Sequence, residues 1–157
     1  MKFIELETLS LYIIDRQNKE DLEFVKKLFH DENIKKWVNG ISNILSEDRN
    51  RDFFGSGFIV KNVDEYIGYV GIGNFNKEEK CVYLRAGISK DKTGHGYGKR
   101  LLNEITEYMF SNFSDLESIR LKINSENIPS LMTANSCGYR FLYGDFYVKY
   151  SSKVKTK

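Results

Sequence analysis

Residues 92 to 100 read Lys92-Thr93-Gly94-His95-Gly96-Tyr97-Gly98-Lys99-Arg100, with three glycines at alternate positions. Alternating glycines let successive backbone N–H groups turn toward one point, and a helix beginning behind them adds the positive end of its dipole. That combination suits a phosphate or pyrophosphate. The plainer reading is a flexible strand-to-helix connection; the amphipathic stretch directly downstream favours the anion cradle. Two nucleotide versions fit poorly. A Walker loop ends in Lys followed by Ser or Thr, and here Lys99 is followed by Arg100. A dinucleotide fingerprint needs its third glycine where Lys99 stands, and it opens a domain, whereas this loop lies in mid-chain.

Other reactive side chains are sparse. The two cysteines, Cys81 and Cys137, are too few for a disulfide framework and read as small core hydrophobes. With two histidines in all, no metal site is expected. The 157 residues, 41% hydrophobic and 29% charged, make one globular domain, read as residues 1–150 with a basic, frayed tail at 151–157. Lys and Arg total 24 against 22 Asp and Glu, so no strong field argues for a nucleic-acid partner. Acidic Glu5 and Glu7 stand where a secretion signal would be apolar. The longest apolar run, Leu11–Ile14, is too short to span a bilayer. These features predict a cytoplasmic protein with free thiols and no membrane partner.

The elements that must hold the glycine loop follow from hydrophobic periodicity. Leu9–Ile14 predicts a first strand. Asn18 with Asp21 resembles a capping box, and Leu22, Val25, Leu28 and Phe29 recur at helical spacing behind it. Ile34, Trp37 and Val38 suggest a second helical piece ending at Asn39-Gly40, with a polar loop or short helix over Ser42–Asp52. Phe58–Val60 and Tyr66–Ile72 read as strands about an Asn62–Glu65 turn. Cys81–Ile88 is a strand with Val82, Leu84, Ala86 and Ile88 on one face and Arg85 on the other. A helix follows the loop, with Tyr97, Leu101, Leu102, Ile105, Tyr108 and Met109 on one stripe. Ile119, Leu121 and Ile123 alternate in a strand. Asn127–Gly138 is a short helix with Pro129 in its first turn and Gly138 as its stop. Phe141–Tyr150 closes the chain as a strand or a hairpin at Gly144-Asp145. The order predicts an α+β, mixed α/β domain.

The loop Thr93-Gly94-His95-Gly96-Tyr97-Gly98 resembles the acetyl-CoA pyrophosphate loop of the GNAT superfamily of N-acetyltransferases, Gln/Arg-x-x-Gly-x-Gly/Ala, with Thr93 at the Gln/Arg position. The resemblance extends over almost the whole chain. The stretch from Asp21 to Trp37 is similar to the helical entry of the branch containing ribosomal-protein N-terminal (alanine) acetyltransferases. Asn127-Ile128-Pro129-Ser130 with Gly138-Tyr139 resembles that branch's Asn-x-x-Ser followed by Gly-Phe. The resemblance implies a mostly antiparallel sheet of six to seven strands flanked by about four helices, with a V-shaped splay between the two central strands. It implies acetyl-CoA as co-substrate, no metal, a small-molecule or peptide amine as acceptor, and a homodimer as a common assembly.

For individual residues, the resemblance implies that Ala86, Gly87 and Ile88 pair with the pantetheine arm, Gly87 at a bulge. A backbone N–H near Gly87 or Ile88 would hold the oxyanion. Thr93, Gly94, His95, Gly96, Tyr97, Gly98 and Lys99 would line the pyrophosphate, and Lys99 and Arg100 either reach CoA phosphates or face water. Asn127 and Ser130 would contact CoA, and Ser130 would help protonate the sulfur; helix capping is the competing role for both. Many members place a Tyr acid seven residues after the Asn, where Ala134 stands here. The resemblance implies direct attack by the amine, so neither cysteine is needed as a nucleophile. Glu78, Glu79 and Asp145 are candidate bases or plain surface carboxylates, and a water chain can replace them. Arg85 lines an acceptor site or forms a sheet-surface ion pair. Trp37, Phe53 and Phe54 shape an acceptor pocket, with core packing, from its helical spacing, as the competing reading for Trp37. A catalytically degenerate CoA-binding or regulatory module on the same fold is the alternative function.

Overall fold

The computed structural model describes residues 3–32, 34 and 53–154. β1 (Phe3–Glu5) and β2 (Ser10–Tyr12) precede α1 (Lys19–Phe29). β3 (Gly57–Asn62), β4 (Glu65–Ile72) and β5 (Cys81–Ile88) form a meander. Then come α2 (Tyr97–Asn112), β6 (Ser118–Lys122), α3 (Ile128–Ser136), β7 (Arg140–Tyr143) and β8 (Phe146–Tyr150). All eight strands join one sheet in the order β1-β2-β3-β4-β5-β6-β8-β7. Every neighbouring pair is antiparallel except β5 and β6, which run parallel across the α2 crossover.

The mixed, mostly antiparallel architecture is the expected one, with one more strand than the six to seven predicted. The extra strand is β1, whose three residues are too few to show alternation. Among the described residues there are three helices and a 3₁₀ turn at Lys90–Lys92. The predicted second helical piece and the Ser42–Asp52 segment lie outside them, apart from Ile34. The tail read as frayed starts out tied down: Ser151 is buried and its N–H donates to the Glu117 carbonyl at 2.8 Å. Residues 155–157 lie outside the described part.

Alternation divides the side chains between the two faces of the sheet. Leu11, Phe58, Val60, Val70, Ile72, Val82, Leu84, Ile119 and Leu121 form one core with Leu101, Ile105 and Met109 of α2 and Ala134 of α3. On the opposite face Phe24, Val25 and Leu28 of α1, with Ile34, pack on Ile59 and Tyr69. Asn18 caps α1, its Oδ1 accepting from the Glu20 and Asp21 N–H groups at 2.9 and 3.1 Å. The capping box is not closed in the usual way. Asp21 turns from Asn18 to accept from the Asp15 N–H and the Tyr66 hydroxyl, at 2.9 and 2.6 Å. That pins the helix start to β4.

On the other face Glu104 of α2 is buried and accepts from the Thr8 and Leu9 N–H groups and the Thr8 hydroxyl. Arg100 donates to the same hydroxyl at 2.7 Å. The first hairpin is thereby fixed to α2 by charge-assisted bonds.

β4 and β5 leave no room for a side chain at Gly68, which pairs with Ile88. A Cβ built there would lie 2.1 Å from the Gly87 carbonyl oxygen. Only glycine permits this ladder, because the obstructing atom is backbone and cannot swing aside. Gly68→Ala is expected to lower the unfolding free energy by about 2–3 kcal/mol, read by urea denaturation. An unchanged midpoint would show that the two strands can separate without cost.

Candidate active site

The parallel β5–β6 ladder runs through only four pairs, from Cys81↔Ser118 to Leu84↔Leu121. Beyond it β5 continues through Arg85, Ala86, Gly87 and Ile88. β6 instead ends at Lys122, and the Ile123 N–H bonds to the Asp145 carbonyl in the β7–β8 turn. The two central strands therefore part, as the V-shaped splay requires. Burial follows the parting. Val82 and Leu84 are buried, yet Ala86, on the same core-facing side, is exposed, and Ile88 is half-buried.

The direction of the β5 amides follows from the β4 ladder. The Gly73 N–H bonds to the Tyr83 carbonyl, and the Ser89 N–H to the Ile67 carbonyl. Antiparallel pairs alternate, so Arg85 and Gly87 spend their backbone groups on β4, while those of Ala86 and Ile88 point toward the parted side. Of the two amides expected near the oxyanion, that of Ile88 faces the opening. The bulge expected at Gly87 lies elsewhere. The β4–β5 register is continuous, and the shift occurs between β3 and β4, where Ile67 is the unpaired residue. Gly87 is needed for close packing instead: an added Cβ would meet Tyr69 at 2.8 Å and Ile34 at 3.2 Å.

β5 runs into the glycine loop. Gly94 and Gly96 both have φ of +81°, a left-handed conformation costly for other residues, and nothing lies within 4 Å of an added Cβ at either. Gly96 is the N-cap of α2 with no side-chain cap bond, and its carbonyl takes the Arg100 N–H. The N–H groups of Tyr97, Gly98 and Lys99 point out of the helix start with no acceptor among the described residues, as a first turn dictates. His95 is exposed. These are the properties of an anion cradle.

A set of side-chain contacts holds the loop, and the sequence alone pointed to none of them. The Lys90 N–H donates to Asp31, just beyond α1, at 2.9 Å. Lys27 of α1 pairs with Asp91 at 3.1 Å. The Ser89 hydroxyl and then Lys27 hold the Asp91 carboxyl below its ordinary value. At the tip of the β3–β4 turn, Glu65 accepts from Lys92 at 2.9 Å and from the Tyr97 hydroxyl at 3.3 Å. The Lys92 hydrogen bond lowers the Glu65 carboxyl and raises the Lys92 ammonium, so this strap holds at neutral pH and is lost as pH falls through the lowered Glu65 value. The Thr93 hydroxyl donates to the Lys90 carbonyl at 2.8 Å, closing the 3₁₀ turn. Arg100, one of two cations considered for the phosphates, is turned toward Thr8 and stacks over Tyr97.

Across the opening α3 begins. Asn127 is its N-cap, accepting from the Ser130 N–H at 3.4 Å, so the capping role belongs to Asn127. The Ser130 hydroxyl is half-buried and makes no hydrogen bond among the described residues. Ala134 is packed into the core, so no side chain of that position reaches the opening.

Other candidates fall away from the site. Glu78 and Glu79 precede β5 at its far end, and Glu79 is bound to Arg120 at 2.9 Å. At ~3.3 Å per residue, the length of β5 places them more than about 20 Å from Ile88, whose N–H faces the opening. Asp145 is half-buried in the turn beside the end of β6, on the correct side. Phe53 and Phe54 pack with Phe58, Phe75, Tyr108 and Phe113 at the C-terminal end of α2, away from the cradle at its start. Trp37 lies outside the described residues. Cys81 and Cys137 are buried, and burial pushes both thiols upward, which suits core packing. Arg85 forms no surface ion pair among the described residues.

Among the described residues, no helix is long and apolar enough to cross a membrane, and no cluster of His, Cys, Asp or Glu could hold a metal ion. No curated protein matches the chain by sequence. Among solved structures, the fold is shared with RimL, a ribosomal L7/L12 α-N-protein acetyltransferase in complex with coenzyme A. The TM-score is 0.73 at 14% identity, covering 95% of this chain and 98% of that one. A spermidine N-acetyltransferase from Vibrio cholerae, in complex with CoA and spermine, gives a TM-score of 0.73 at 21% identity, covering 93% and 97%. RimJ from Mycobacterium smegmatis, in complex with CoA-disulfide, gives 0.72 at 15%, covering 98% and 88%. The family model described as acetyltransferase (GNAT) domain matches residues 6–140. With the splayed central strands and the glycine cradle at their open end, that match over most of the sequence establishes that the chain belongs to the GNAT acetyltransferase family.

Proposed function

We propose that the chain moves an acetyl group from acetyl-CoA to a primary amine by direct attack, with both substrates bound together. The observation that carries this is the exposed Ala86 in a central strand, flanked by backbone groups of Ala86 and Ile88 directed into the gap and leading to the cradle. A pantetheine arm lying in the gap takes the place of the missing β6 pairs. Its pyrophosphate takes the N–H groups of Gly96, Tyr97, Gly98 and Lys99. The Ile88 N–H then faces the thioester oxygen as it becomes an oxyanion.

In this reading the neutral amine forms the new C–N bond, the C–S bond breaks, and the pair of electrons leaves on sulfur. The thiolate gains a proton and the amine nitrogen loses one. The Ser130 hydroxyl supplies a hydrogen bond to the sulfur, and its lack of another partner supports that role. Asp145 or a water chain removes the amine proton. Because the cysteines are buried and their thiols held protonated, no acyl-cysteine step enters.

Saturating acetyl-CoA, near 100 times Kd, is expected to raise the melting temperature by roughly 5–10 °C, with CoA similar and ATP and NAD without effect. No shift with either CoA species would end the transferase reading. Gly96→Val, which forces a side chain into a left-handed backbone, is expected to raise the Kd for acetyl-CoA about tenfold, measured by calorimetry. In a thiol-release assay with a reactive amine, Ser130→Ala is expected to lower kcat on the order of 100-fold with little change in the KM for acetyl-CoA. Replacing Cys81 and Cys137 by Ala should leave turnover within a few-fold; loss of turnover in a folded double variant would argue for an acyl-enzyme.

A further inference from the structure

Strand register places Tyr69 and Gly71 of β4, Tyr83, Arg85 and Gly87 of β5, and Arg120 and Lys122 of β6 on one face of the sheet. It is the face that α1 covers over β2, β3 and β4, and it borders the opening opposite the side packed by α2. Its charges are unequal in their satisfaction. Arg120 is bound to Glu79 and to the Tyr83 hydroxyl, at 2.9 and 3.2 Å. Arg85 is exposed, with no hydrogen bond or ion pair among the described residues. Its guanidinium lies across Gly71, where an added Cβ would sit 3.7 Å from Nε and 3.8 Å from the terminal nitrogen. Two residues along β4, the Tyr69 hydroxyl is buried and also without a partner. Burial holds the phenol above its ordinary range, so it stays a protonated donor, and the field of Arg85 reaches it.

We propose that Arg85 determines acceptor specificity, by binding a carboxylate carried on the same molecule as the reacting amine. This rests on the acetyl-transfer reading above. A guanidinium laid flat with its fork unpaired matches the two oxygens of a carboxylate. Arg85 lies two to three residues down β5 from Gly87 and Ile88, roughly 7–10 Å at strand spacing. The amine and the carboxylate are therefore separated by about that distance. An α-amino acid holds them too close together, whereas a peptide with an acidic side chain at its second residue reaches across the gap. A polyamine would set its second cation against Arg85 and Lys122, which selects against it.

The test compares four acceptors with the full chain: the amidated tripeptides Ser-Asp-Gly, Ser-Asn-Gly and Ser-Lys-Gly, and spermidine. Each is assayed for kcat/KM by thiol release and for direct binding to the CoA-loaded protein by calorimetry. The expected order puts the Asp peptide at least about tenfold above its Asn isostere, with the Lys peptide and spermidine lowest. Arg85→Gln should bring the Asp and Asn peptides within twofold while the Kd for CoA is unchanged, and Arg85→Lys should retain part of the preference. Equal use of the Asp and Lys peptides, a preference for spermidine, no binding of any peptide to the CoA-loaded protein, or an unchanged preference in Arg85→Gln would each overturn the proposal. Failure of acetyl transfer itself registers separately, as absence of CoA binding or of thiol release, and the binding arm still reads the charge preference.

Discussion

The short parallel ladder between β5 and β6 is the constraint on which the site depends. Four pairs join the two halves of the sheet, and then the strands separate. A longer ladder would bury Ala86 and spend the backbone groups of Ala86 and Ile88 on β6, leaving no gap for a ligand. A shorter one would detach the halves. The parting has visible causes on each side. β5 is held to β4 to its end, through the close approach at Gly68, while β6 is drawn to β8 and handed on through Ile123 to the Asp145 turn. The gap is thus flanked by an antiparallel ladder on each side, which lets a polar slot persist in a packed protein.

The cradle depends on the same frame at one remove. A loop with glycines at left-handed φ has little conformational preference of its own, and a side chain added at Gly94 or Gly96 would meet nothing to hold it. Its shape comes from outside. Lys27 and Asp31 fix its start from the α1 side, Glu65 straps it from the β3–β4 turn, and α2 is anchored to the first hairpin by Glu104 and Arg100. Three separate parts of the chain therefore meet at the glycine-loop end of the site. Preorganised donors cost less to use than donors ordered at the moment of binding.

Local signals carried much of this into the sequence. β5 was bounded at Cys81 and Ile88 by alternation, α2 by its apolar stripe, and the α3 start by Asn127 and Pro129. The loop announced itself by its glycines, since few other residues tolerate that backbone. Tertiary facts left no such trace. β1 was invisible because three residues give no period. Asp21 looked like a capping-box acid, but Tyr66 and Asp15 bind it instead, and neither lies at capping distance. Phe53 and Phe54 looked like a pocket wall and proved to be part of an aromatic cluster whose other members lie up to sixty residues away. The direction of each β5 amide, and hence the assignment of Ile88 over Gly87, needs the register with β4, which no single strand encodes.

The sheet order also bears on how the chain reaches its native state. β1 joins β2, and β3 joins β4 and β5, through neighbouring segments, whereas β2 meets β3 only across α1 and the residues after it, and β6 meets β5 only after the whole of α2 has been placed. Contacts of long sequence separation form late, because loop-closure entropy must be met first. The pairing that creates the gap is therefore among the last to form, and a chain arrested with only its meander assembled would expose Val82 and Leu84 along an unpaired β5 edge. Such an edge is a template for adding foreign strands. β6 covers that edge at Val82 and Leu84, so the same four pairs that frame the gap also keep the sheet from adding a foreign strand.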